Sequence, residues 1–229
     1  MSLTTRLDAT ELMDADDLDP KVYAAVVGDL ARVNTVTLAA RPTLAFLNRV
    51  AEARQRLRIL DVGFGDGDML RRIERWAARH DLAVDLVGVD CNPRSEAAAR
   101  EHTPAGSQIR WITGDYAQLA DQNWDVIISS LVAHHMTQNE LVAFLRFMEV
   151  HAGVGWFIND LMRHTLAYRG FPLLARIARW HPIVRHDGTV SIARSFRPAD
   201  WVALLADAGI VGARITRVFP FRLCVERRR

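Results

Sequence analysis

Three glycines and three aspartates crowd the stretch "LRILDVGFGDGD", with Gly63, Gly65 and Gly67 alternating among Asp61, Asp66 and Asp68. Glycine there permits unusual backbone angles and lets a ligand come against the main chain. A loop that follows a strand and opens a helix commonly holds phosphate, because a helix N-terminus attracts anions. Here Asp66 and Asp68 would repel a pyrophosphate, and Asp68 occupies the place where a dinucleotide fingerprint needs a small residue. The acids suit a ligand that carries an ammonium and a sulfonium instead. A plainer reading stays open beside it, in which Asp68 caps the helix and Asp61 satisfies loop amides.

Two further strand ends carry acids. Asp90 closes "VDLVGVDCNP", with Cys91 next to it, and a carboxylate there can accept both hydroxyls of an adenosine ribose. Asp115 in "TGDYAQL" stands where it can bond an adenine amino group while Tyr116 gives an apolar wall, unless it merely caps a turn. S-adenosylmethionine joins all these chemical parts. The residues expected to hold it are Asp61, Gly63, Phe64, Gly65, Gly67, Asp90, Cys91, Asp115, Tyr116, Ser129 and Ser130.

Strands must alternate with helices to place these residues. Short apolar runs predict strands over 57–62, 84–90, 108–113, 124–130 and 153–159, as a sheet buried on both faces requires. Met69, Leu70, Ile73, Trp76 and Ala77 share one helix face; Thr137 to Glu140 form a capping box before Leu141, Phe144, Leu145 and Met148. The alternation predicts an α/β, Rossmann-like doubly wound sheet. Residues 8–54 read as helices, with Asp19 capping and Pro20 at the first helical position. Residues 198–208 predict a helix, and 213–219 and 222–228 a closing strand pair around Pro220 with one strand antiparallel. Residues 1–54 are thus expected as a helical cap segment and 55–229 as the main domain, with 161–195 inserted as a helical lid.

Composition narrows the class. The 229 residues are 50% apolar and 24% charged, as in an ordinary globular chain. A net charge of +2 gives no argument for nucleic acid, and Lys21 is the single lysine among many arginines. Cys91 and Cys224 make neither a disulfide framework nor metal-ligand spacing, so a reducing compartment is expected. No run approaches a membrane span and the N-terminus is acidic where a signal peptide is basic, so the expected location is cytoplasmic.

In order and spacing, "ILDVGFGDG", "GVDCNP", "TGDYAQL" and "WDVIISSLVAHHM" resemble the successive motifs of class I S-adenosylmethionine-dependent methyltransferases. The likeness covers roughly residues 55–160 and the terminal strand pair; "NDLMRHTLAY" and "RHDGTVSIARSF" further resemble a bacterial small-molecule subgroup, some of it acting on polyketide or quinone-like phenols. The resemblance implies a seven-stranded sheet with a reversed last strand. It also implies that the methyl faces the loops after the fourth and fifth strands, and that the acceptor is a small molecule, with an oxygen favoured. His134 and His135 follow the fourth strand and are the candidate bases, since an imidazole titrates near ~6.5. Neighbouring residues cannot both face one pocket, so packing or capping is the alternative for each. Some quinone-pathway relatives bind metal here through glutamates; this chain has Leu131, His134 and His135 instead, so no metal is expected. Asn159, Asp160, Arg163, Tyr168 and His186 are expected to line the acceptor pocket, with the inserted segment serving as lid, as a basic amphipathic helix on a membrane surface, or as plain solvated helix. The rival functions are an NAD-dependent oxidoreductase, which the loop suits poorly, and a cofactor-binding subunit without catalysis.

Overall fold

The computed structural model describes residues 3–15, 17–52 and 54–229. Seven strands form one sheet: β1 (Arg56–Val62), β2 (Ala83–Asp90), β3 (Arg110–Thr113), β4 (Trp124–Ser130), β5 (Ala152–Leu161), β6 (Arg214–Val218) and β7 (Arg222–Arg228). Their order is β3-β2-β1-β4-β5-β7-β6. All pairings are parallel except those of β7, which runs antiparallel between β5 and β6. The expected doubly wound sheet with a reversed last strand is therefore present. β3 starts later than its apolar run suggested, because the Ile109 amide is taken by the Ser107 hydroxyl.

The helices are α1 (Pro20–Val36), α2 (Ala40–Ala51), α3 (Asp68–Arg79), α4 (Pro93–His102), α5 (Gln138–His151), α6 (Thr165–Ile177), α7 (Pro182–Arg194) and α8 (Pro198–Ala208). Leu60, Val62, Val87 and Ile127 lie in one core with Leu141, Phe144 and Leu145 of α5 and Trp201 of α8. Leu57, Ile59, Val126 and Ile128 lie in another with Phe46 and Leu47 of α2 and Leu70, Ile73 and Trp76 of α3. The central strands β1 and β4 are thus apolar on both faces because both are covered. Thr137 and Glu140 make the reciprocal capping bonds expected for α5, and Asp19 accepts the Lys21 and Val22 amides at the start of α1.

Helices were expected from residue 8 onward, and the start of that segment is a correction. Among the described residues before α1 there is only one turn of 3-10 helix, Leu12–Asp14. The amides of Leu12 and Met13 donate to the Asp187 carboxylate of α7 at 2.9 Å each, so tertiary partners replace helical ones. This strap crosses the inserted pair α6–α7, which packs on α1 through Val26, Ala175, Trp180 and Val184.

Candidate active site

Strand order reverses between β1 and β4, which carry the chain outward on opposite sides of their junction. An open α/β sheet leaves a crevice at such a point, beyond the carboxyl ends of the strands. A cavity of about 870 Å³ lies here, lined at one end by Gly63, Phe64, Gly65, Asp90, Cys91, Asp115, Tyr116 and Ser130. Its other end is walled by α1, α6 and α7, through residues such as Val27, Leu30, Leu166, Phe171, Val184 and Ile192. His134, His135 and Arg222 lie among the same lining residues.

The glycines divide by task. Gly63 and Gly67 both adopt φ +77°, and a Cβ would strike Val132 at the first and the Trp111 ring at the second. Gly65, at φ +55°, has nothing within 4 Å of where its Cβ would stand, so the loop is open on the cavity side. Gly67 packs on Trp111 and is not among the lining residues. Beneath the loop, Phe64 meets Trp111 with ring centroids 4.8 Å apart, which sets the floor.

The acids also divide. Asp90 accepts the Gly65 amide on one oxygen and the Asn92 amide on the other, both at 2.9 Å, so its carboxylate is held fast at the cavity edge. Asp115 accepts the Ala117 amide through Oδ1 and still lines the cavity, so capping and lining coexist. Tyr116 stands edge-on to Phe147 and against Phe144 at 4.8 and 4.9 Å, a fixed wall. Asp66 and Asp68 do not act as free anions. Arg71 pairs with Asp66 at 3.0 Å and Arg72 with Asp68 at 2.7 Å, neutralising both from α3. Asp66 and Asp68 are therefore not the free anions expected to select a cation; the lining acids without an arginine partner among the described residues are Asp90 and Asp115. Asp61 is buried with Oδ1 unpaired, and burial, then the Asp90 charge, raises its carboxyl to about 8. The Ser130 hydroxyl is likewise buried without a partner, whereas Ser129 donates to the Val62 carbonyl and leaves the cavity.

At the acceptor end the two histidines differ. His134 is buried, with Nδ1 2.7 Å from Asp160 Oδ1 and its amide donating to Asp160 Oδ2 at 2.8 Å. Glu11 Oε1 reaches to 3.6 Å from its Nε2. Burial alone would lower its pKa, but the charges and bonds of Asp160 and Glu11 outweigh that and raise it to about 9. Glu11 in turn falls to about 2: burial opposes this, but the bond and charge of His134, with the His135 charge and the Ser191 bond, together outweigh it. The His135 side chain is 32% exposed, with Nδ1 3.4 Å from Asp14 and Nε2 3.8 Å from Glu11. Glu11 and both histidines offer ligand atoms within 4.8 Å of one another, a spacing a divalent cation would accept. The protonated His134 already balances Glu11, so the cluster needs no ion to be stable.

None of the five residues expected along the acceptor pocket is among the lining residues of the cavity. Asn159 donates to Ala39 O and Thr43 Oγ1, tying α2 to β5. Arg163 pairs with Asp200 at 3.0 Å. Asp160 is buried behind His134, and Tyr168 is half-buried on α6; neither is a lining residue. His186 pairs with Asp187 at 2.8 Å, but its side chain is 51% exposed and outside the cavity lining. Asp187, its neighbour, lines the cavity and clamps the strap. Glu11, Asp14, Tyr23 and Arg222 were missed. Nothing in the sequence signals Glu11 or Arg222, because only tertiary folding brings an N-terminal acid and the start of β7 to the end of β4.

Residues 59–155 match the sequence family described as a methyltransferase domain. No curated protein sequence matches the chain. Among solved structures, the fold is similar to that of human N-acetylserotonin methyltransferase in complex with S-adenosylmethionine (TM-score 0.63, 15% identity, 92% of this chain and 56% of that chain). It is also similar to the plantazolicin methyltransferase BpumL in complex with a triazolic desmethylplantazolicin analogue and S-adenosylhomocysteine (TM-score 0.64, 14% identity, 87% of this chain and 88% of that chain). A third is magnesium protoporphyrin IX methyltransferase from Synechocystis PCC 6803 with bound S-adenosylhomocysteine (TM-score 0.55, 20% identity, 93% of this chain and 89% of that chain). The chain spans little more than half the length of the human protein. The sheet with its reversed β7 has the fold of these methyltransferases, and residues 59–155 within it match the methyltransferase-domain family.

Proposed function

We propose that the protein moves a methyl group from S-adenosylmethionine to an oxygen of a small, largely apolar acceptor of phenolic, quinol-like or polyketide-like type. The observation that carries this is the single cavity whose lining joins the glycine loop, Asp90 and Asp115 to His135 and to the apolar walls of α1, α6 and α7. An oxidoreductase needs a loop made for a diphosphate, and here the Gly65 amide that would bond one already donates to the Asp90 carboxylate. A subunit without catalysis would tolerate an acceptor end plugged by side chains; here that end is open to the cofactor end.

The chain's residues fit the cofactor through the open face at Gly65, the anchored carboxylate of Asp90, and the unpaired Asp61 and Ser130. When bound, the cofactor supplies an electrophilic methyl on a positively charged sulfur. Asp90 is the group for the ribose hydroxyls, Asp115 and Tyr116 for the adenine. Cys91 lines the same edge and is a bystander by this reading. His135, partly exposed in the cavity, takes the proton from the acceptor oxygen at Nε2 or Nδ1. His134 cannot, since it already holds its proton at neutral pH; it positions His135, whose ring packs tilted against it with centroids 4.3 Å apart. Apolar walls hold the acceptor in line, and positioning of this kind contributes up to about 7–11 kcal/mol.

The test is incubation with labelled cofactor and a panel of phenols, alkylresorcinols and quinols, read by mass spectrometry. One or more acceptors should gain a methyl on oxygen, and His135→Gln should lower turnover by ~10²-fold while S-adenosylhomocysteine affinity stays put. Methylation at carbon or nitrogen, or full turnover in the variant, would remove the base from the mechanism.

A further inference from the structure

We infer that α6 and the cavity rim form a docking surface for an anionic lipid bilayer, from which an amphipathic acceptor enters the site. Leu166, Leu173 and Ile177 of α6 are 66%, 63% and 73% exposed. Their spacing of seven and then four residues sets them on one helix face. The opposite face is the buried one, through Ala167 and Ala175. An apolar stripe left in water this way marks an interaction surface rather than a core.

The stripe continues into the cavity. Leu166 and Leu174 are both exposed and among the lining residues, so the outer surface and the inner apolar wall are one surface. Other large exposed apolar residues border the same rim. Phe219, 83% exposed, precedes the lining residues Pro220 and Phe221, while Val36 and Leu38 flank the lining residue Thr37. Arg222 ties these two rim segments together by donating to Thr37 Oγ1 at 3.1 Å.

Charge selects the occupant. Arg169, Arg176 and Arg179 are exposed along and just past α6, and none has an acid in ion-pair range among the described residues. α6 carries no acid, and Asp187 of α7 is buried and committed to the Leu12 and Met13 amides. Apolar side chains that enter the acyl boundary, flanked by arginines at headgroup level, are the pattern of a helix lying in a membrane interface. No helix among the described residues is long and apolar enough to cross a membrane, so contact is at the surface. The acceptor's route rests on the methyl-transfer reading above; binding to the bilayer does not.

The experiment is co-sedimentation of the full chain with vesicles of phosphatidylcholine alone and of phosphatidylcholine with phosphatidylglycerol. S-adenosylhomocysteine titration runs alongside, and light scattering gives the oligomeric state. The expected result is binding to the anionic vesicles only. Leu173→Glu with Ile177→Glu should reduce it about tenfold or more, and Arg169→Gln with Arg176→Gln by a similar factor. All four positions are exposed, so cofactor affinity should be unchanged, which shows that the variants fold. No sedimentation of the wild-type chain, equal binding to neutral vesicles, or undiminished binding by the variants would overturn the inference. So would a dimer that the Leu173/Ile177 variant dissolves, since a second copy would then be the occupant. Vesicle binding without any cofactor binding would leave the surface standing and bring down the methyl-transfer reading instead.

Discussion

Under the proposed function, Asp61 is the residue whose ionisation should change most when the cofactor arrives. Its carboxyl, raised to about 8 by burial and by Asp90, is mostly protonated at pH 7 in the free protein. A cation placed over the glycine loop favours the ionised form, so its proton must leave. Titration of S-adenosylmethionine at pH 7 in buffers of differing ionisation enthalpy should therefore show release of close to one proton, abolished in Asp61→Asn. Heats that do not vary with buffer would mean that Asp61 does not sense the ligand. This residue was legible in the sequence because strand, acid and glycines are contiguous. Asp66 and Asp68 were equally visible, yet their arginine partners follow five and four residues later on α3, the second at the i,i+4 spacing of a helix.

At the scale of elements, the strap over residues 3–15 is held to the inserted helices by charge. His134 faces Asp160 from β5, Glu11 from the strap, and His135 on its own turn. Arg194 of α7 approaches Glu11 at 4.0 Å, and Arg6 donates to the His134 carbonyl. A raised histidine contributes its full stability below its unfolded value of 6.5 and loses it as pH rises through about 9. A lowered glutamate contributes fully above 4.5 and loses it as pH falls through about 2. The strap should then be most firmly docked between pH 4.5 and 6.5 and should loosen toward pH 9, an effect that amide exchange of residues 3–15, corrected for intrinsic rates, would record. Protection that is unchanged up to pH 10, or that rises above pH 7, would contradict the pairing. None of this was legible in the sequence. The strap lacks periodicity, and its amides bond to an aspartate more than 170 residues away. The capping box at Thr137 and the Asp19-Pro20 start of α1 were legible, because capping acts across three residues.

Across the whole molecule, the sheet could be read from the chain because apolar runs, glycine stops and helix stripes each act locally and agree with one another. The cofactor end could be read for the same reason, since each motif ends its own strand. The acceptor end is assembled from the strap, α1, the loop after β4, α6, α7 and the start of β7. Such a surface has no local signature. Under the proposed function, a contiguous site would hold the methyl donor while the dispersed apolar end would set which molecule is methylated.

The most direct test is calorimetric titration of S-adenosylhomocysteine into the wild-type chain and Asp90→Ala. One molecule should bind per chain, and the variant should bind more weakly by about 1–3 kcal/mol, the cost of stranding hydrogen-bonded groups. No binding to the wild-type chain, or equal affinity in the variant, would contradict the assignment of this crevice to the methyl donor.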